Sequence, residues 1–132
     1  MTIKPAETVR EYLKKRGCPA VIADGGFEGL LDQWESIVDE IVEGYEGTLE
    51  DYVNDLDTRQ MIEELLPRIS NQKLLARLSE ADRTFKAAVK PRDKCLWDED
   101  NARQHGWSKE KNWWFFSFPT RTGEDFLRAS SG

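Results

Sequence analysis

His105 is the only histidine in this 132-residue chain, so any mechanism in which an imidazole activates a nucleophile must run through it. Ser108, Cys95 and Ser117 are the side chains it could serve, yet none sits in a nucleophile-elbow motif, and His105-Gly106 reads as a loop. Cys95, Asp98 and His105 offer zinc-type donor atoms at a spacing that matches no zinc signature, with no evident fourth ligand. Gly25-Gly26 and Gly29 lack both the preceding strand and the lysine of a phosphate-cradling loop. Carboxylates are numerous, and none is singled out as an acid–base pair. The sequence therefore shows no catalytic constellation and calls for no metal and no cofactor.

Six carboxylates form a pattern of a different kind. Glu28, Asp32, Glu35, Asp39, Glu43 and Glu46 recur at intervals of three or four, which on a helix places them within roughly 80° of one another. Like charges at that spacing cost about 0.2–0.5 kcal/mol per pair. No Lys or Arg lies on the same segment to relieve them. One reading is a solvated face, neutralised by Lys73, Arg77, Arg83, Lys86 and Lys90 from a later helix. The other is a docking surface that steers a basic protein partner toward it. A divalent-cation site fits less well, because helical carboxylates that bind metals point into a bundle core and work with histidine.

The third constellation is aromatic. Trp97, Trp107, Trp113, Trp114, Phe115, Phe116 and Phe118 are interleaved with Lys94, Arg103, Lys109, Lys111 and Arg121. Such a mixture could stack on bases and hold phosphates. The acidic run Asp98, Glu99, Asp100 opposes that use, and bulky aromatics commonly close a small core instead. A small-molecule pocket lined by Trp97, His105, Trp107, Trp113 and Trp114 is the alternative site.

Charge is unevenly spread. The net charge of −6 divides into −10 over residues 1–66 and +4 over residues 67–132. Between Asp24 and Leu66 the one basic residue is Arg59. This argues against nucleic acid as the partner of the N-terminal half. The aromatic run Trp113 to Phe116 is far too short to span a bilayer, and residues 1–20 lack the apolar stretch of a signal peptide. Cys18 and Cys95 suggest no disulfide framework, so a cytoplasmic setting without membrane attachment is expected.

The elements that must carry these groups are mainly helical. Pro5 suits a first turn, Val9, Tyr12 and Leu13 share a face, and Gly17 with Pro19 supplies a stop. Phe27, Leu30, Leu31, Trp34, Ile37, Val38, Ile41, Val42 and Tyr45 then trace about five helical turns, with Asp24 placed to cap the start. Thr48 and Asp51 resemble a capping box, and Asp57 with Gln60 looks like a second cap that restarts the helix before Pro67. Ser70 caps a further helix with an apolar face from Leu74, Leu75, Leu78, Ala81 and Phe85 to Val89, ended by Lys90-Pro91. Trp113 to Phe118 reads as a strand, with Lys94 to Trp97 as its partner. Ser130 to Gly132 is expected to fray.

The expected fold is one domain over residues 1–132: a bundle of four to five helices (about 5–90) with a small β element around 94–97 and 113–118. The aromatic-rich segment runs over about 91–128. The first functional expectation is a non-catalytic protein-binding module whose acidic helix face meets a basic partner. In composition alone the chain resembles small acidic helical proteins such as bacterial immunity proteins, a resemblance that transfers no functional residue. Two other expectations stand beside it. One is a small-molecule or metal-dependent enzyme built around His105, and the other a homo-oligomer joining acidic to basic halves; the sequence leaves the oligomeric state open.

Overall fold

In the computed structural model, residues 9–17, 20–123 and 126 are described. Pro5, Cys18, Pro19 and Ser130 to Gly132 lie outside them. The long apolar row becomes helix α2 (Ala20–Glu43), preceded by α1 (Val9–Lys15) and followed by α3 (Leu49–Leu65) and α4 (Gln72–Ala87). α2 packs against α1, α3 and α4 in turn. Its buried face carries Phe27, Leu30, Leu31, Trp34, Ile37, Val38 and Ile41, as the spacing requires. Val42 departs from that expectation: it stands at the edge of the apolar arc and is 40% exposed.

The element is two helical stretches that meet at Gly26, whose φ of 63° and ψ of −150° belong to glycine alone; the long apolar row starts directly after it at Phe27, and a short helical stretch from Ala20 precedes it. Thr48 and Asp51 form the expected reciprocal capping box at the start of α3. The second cap is not used. α3 runs unbroken through Asp57, because the helix is buried on several sides across that point, with Leu56, Thr58, Arg59, Gln60, Met61 and Ile62 all inside. Pro67 ends it in a single 3-10 turn, Leu66–Arg68. Asn71, not Ser70, caps α4, its Oδ1 accepting from the backbone N–H groups of Lys73 and Leu74.

The β element is present but shifted. β1 (Val89–Pro91) pairs antiparallel with β2 (Ser117–Pro119), with Lys90 opposite Phe118. Val89 therefore leaves the helix face for the sheet. Trp113–Phe115 forms a 3-10 turn instead of a strand, since Trp114 and Phe115 are both buried and an alternating pleat would point one of them away. The segment 94–97 still runs alongside, with Leu96 N donating to Phe115 O at 2.8 Å. Between the strands lies the short helix α5 (Glu99–His105), and His105, expected in a loop, is its last residue. Asp98 caps it by accepting from Asn101 N, and Gly106 closes it in the left-handed conformation.

The C-terminal segment seals the bundle. Phe85, Trp114 and Phe115 are fully buried, and Trp34 packs against Phe85 at 5.2 Å between ring centres. At the far end Tyr45, Tyr52 and Phe126 form a cluster of edge-to-face rings. Tyr45 N donates to Arg121 O and Gly123 N donates to Tyr45 O, tying the α2–α3 turn to the end of the described chain. Among the described residues no helix is long and apolar enough to cross a membrane.

Candidate functional site

The acidic row divides into two parts. Arg77 of α4 reaches its N-terminal half, with Nη2 2.7 Å from Asp32 and 2.5 Å from Glu35, and Nη1 3.7 Å from Glu28. Of the five cations that could neutralise the row, Arg77 alone does so. Arg83 pairs with Glu80 on its own helix, and the Lys86 ammonium sits over the Trp113 ring at 4.4 Å. Lys73 and Lys90 form no ion pair among the described residues.

The C-terminal half has no such relief. Asp39 and Glu43 are exposed on α2, and Glu46 lies just beyond it in the turn, not on the helix. Here the fold adds carboxylates that the row does not include. Glu40, Glu43, Glu46, Asp51 and Asp55 surround a cavity of about 560 Å³ floored by Tyr45. The last turn of α2 contains no basic residue, so its acidic groups stand against the negative end of the helix dipole. Asp51 is held by the Thr48 backbone N–H at 3.0 Å, and Asp55 accepts the Tyr45 hydroxyl at 2.6 Å. Burial raises the Asp55 carboxyl above the usual carboxylate range; Asp51 adds to that, and the Tyr45 hydrogen bond opposes it. No Lys or Arg pairs with Asp39, Glu40, Glu43, Glu46, Asp51 or Asp55 among the described residues. Val42, the residue before Glu43, is exposed beside this surface.

The aromatic candidates also divide. Trp97, His105 and Trp107 share a cavity of about 510 Å³, in which His105 stacks on Trp107 at 4.5 Å and 16°. Its remaining walls come from parts of the chain the sequence does not associate with it. Arg16 contributes from just beyond α1, Asn54, Asp57, Gln60 and Glu64 from α3, and Asn101 from α5. The Arg16 guanidinium bridges Glu64 at 3.0 Å and Asp57 at 3.4 Å. Trp97 presents an indole N–H that is sealed from solvent and has no acceptor.

Trp113 and Trp114 belong elsewhere. Trp114 is in the core under the Arg59 guanidinium at 4.6 Å, and Trp113 packs on Phe85. The nucleophiles are scattered too. Ser117 is buried against the Tyr52 hydroxyl at 2.9 Å, and Ser108 Oγ accepts from Lys111 N. Burial pushes the Cys95 thiol up, away from the reactive thiolate. Among the described residues no three metal-ligating side chains come together, and Cys95, Asp98 and His105 form no such group.

No family model, curated protein or solved structure matches this chain.

Proposed function

We propose that the protein is a binding module that captures a basic protein partner on the acidic corner where α2 meets α3. One observation supports this above the others. Asp39, Glu40, Glu43 and Glu46 crowd the C-terminal end of a helix and form no ion pair among the described residues, Arg121 beside Gly44 included, while the other half of the same row is neutralised by Arg77. In the free protein that crowding opposes the helix dipole; a lysine- or arginine-rich surface would reverse the sign of the interaction. Val42 supplies an apolar contact within the charged rim. An inhibitor or immunity-type role is the form of this reading in which the covered surface is the partner's working face. Cys95, a free buried thiol, supports a reducing cytoplasmic setting.

The test compares the wild type with the triple reversal Asp39→Lys/Glu43→Lys/Glu46→Lys in pull-downs at low and moderate salt. These side chains are exposed, so the variant is expected to fold. A basic protein retained by the wild type, lost from the variant and released by salt supports the reading. An identical set of retained proteins on both baits overturns it. So does retention of a second copy alone, with a mass that falls toward the monomer as salt rises.

A further inference from the structure

The cavity between α1, α3 and α5 is distant in chemistry from the acidic corner, and it carries open acceptors, while one unpaired donor of its lining, the Trp97 indole N–H, is sealed from solvent. Its one guanidinium, Arg16, donates to Glu64 through Nε and Nη2 and to Asp57 Oδ1. Glu64 also takes the Tyr12 hydroxyl and the Gln60 amide, so its acceptors are filled from within. Asp57 is not saturated: its contact with Arg16 is a long 3.4 Å, and Oδ2 receives no hydrogen bond among the described residues. Asn101 uses its amide N–H groups on Trp97 O and Asp98, which leaves its carbonyl oxygen open. Asn54 is exposed on the same wall, and its side chain makes no hydrogen bond among the described residues. The opposite wall is the stacked pair His105 and Trp107 with Trp97 beside it.

Two carboxylates against one already paired guanidinium, with open carbonyl oxygens and an aromatic wall, select for positive charge, several N–H donors and a flat shape. A cavity of about 510 Å³ has the size of a small-molecule site. We propose that it binds a planar organic cation of the guanidinium or amidinium type, paired to Asp57 and laid against the aromatic wall that His105, stacked on Trp107, and Trp97 form. This assignment is independent of the acidic corner and survives or fails separately from it.

Benzamidine and benzoate, alike in shape and opposite in charge, are the probes for isothermal titration calorimetry on the full chain. Benzamidine is expected to bind saturably with a dissociation constant of about a millimolar or below, and benzoate not to bind. Asp57→Asn should weaken benzamidine at least about tenfold, the loss of one charge-assisted contact. Asn54→Lys places an ammonium at the mouth and disturbs no existing bond, so it keeps the test valid if Asp57→Asn misfolds; it too should weaken binding. A blocked arginine amide tests the source of the cation. Tighter binding than benzamidine assigns the site to an arginine side chain of a partner, and weaker binding to a free aromatic cation. Absence of saturable benzamidine binding, equal binding by both variants, or preference for benzoate overturns the proposal.

Discussion

Asp82 on α4 receives two parallel hydrogen bonds from Arg59 on α3, from Nε at 3.0 Å and from Nη2 at 2.9 Å. The same carboxylate accepts the Trp34 indole N–H at 3.0 Å, so one part-buried group joins α2, α3 and α4. Arg59 is 4% exposed and lies over Trp114; beyond Asp82 it pairs with Glu63 on its own helix at 3.0 Å, so the single cation of the acidic stretch forms no ion pair with the α2 row.

Breaking that pair should cost far more than breaking any surface pair. Arg59→Met leaves the Asp82 carboxylate without its charged partner, and Asp82→Asn leaves the guanidinium under-compensated. Each is expected to lower unfolding free energy by about 3–5 kcal/mol in a denaturant titration. A loss under about 1 kcal/mol would mean water reaches the pair.

Arg77 offers the contrasting case. Its partners Asp32 and Glu28 are well exposed, so Arg77→Ala should cost only about 0.5–1 kcal/mol at low ionic strength. The loss should shrink toward zero in molar salt, where exposed charges are screened within a few ångströms. A loss that does not change with salt would assign Arg77 a packing role instead.

Gly26 tests the bend in α2. A Cβ there meets nothing within 4 Å, so the effect of Gly26→Ala is backbone strain at φ +63° and nothing else. We expect about 1–3 kcal/mol of destabilisation, read as a fall in midpoint denaturant concentration at unchanged slope. Unchanged stability would show that the helix straightens at little cost.

Asp55 sets a pH dependence of definite sign. Its carboxyl is raised in the folded protein, so the native state binds the proton more tightly than the unfolded chain does. The stabilisation from this proton is fully present below the unfolded pKa and is lost as pH rises through the folded one. At pH 7 Asp55→Asn is therefore expected to be at least as stable as the wild type, the Asn carbonyl still accepting the Tyr45 hydroxyl. As pH falls toward the carboxylate range the wild type should gain on the variant, measured as the difference between their unfolding free energies. An opposite trend would place the Asp55 pKa below its ordinary value.

How much of this was legible in the sequence depends on how far apart the partners lie. The core face of α2 follows from a 3.6-residue period, and the capping box at Thr48 from residues three apart, so both could be read directly. Val42 could not be placed, because an arc read from spacing does not say where the neighbouring helices stop. A second cap at Asp57 is overridden for a tertiary reason: α3 is buried on several sides across that point, and Asp57 meets Arg16 instead. α5 was missed although its signals were present, Asp98 three residues before Asn101 and Gly106 at the end; seven residues give too short a period to stand out. The site residues follow the same rule. The row from Glu28 to Glu43 was visible because it lies on one helix, while Asp51 and Asp55 joined it only through the α2–α3 turn. Arg16 and Glu64, 48 residues apart, came together with no local signal at all.

The bond between Tyr45 and residues 121–123 has a bearing on how the protein comes into being. A chain leaving the ribosome can begin to collapse around Trp34 once α2 and α3 have emerged. Tyr45 and Tyr52, however, lack their third ring until Phe126 has been synthesised. The ring cluster beside the acidic corner is thus completed only once Phe126 has been made, after the helices that carry the carboxylates.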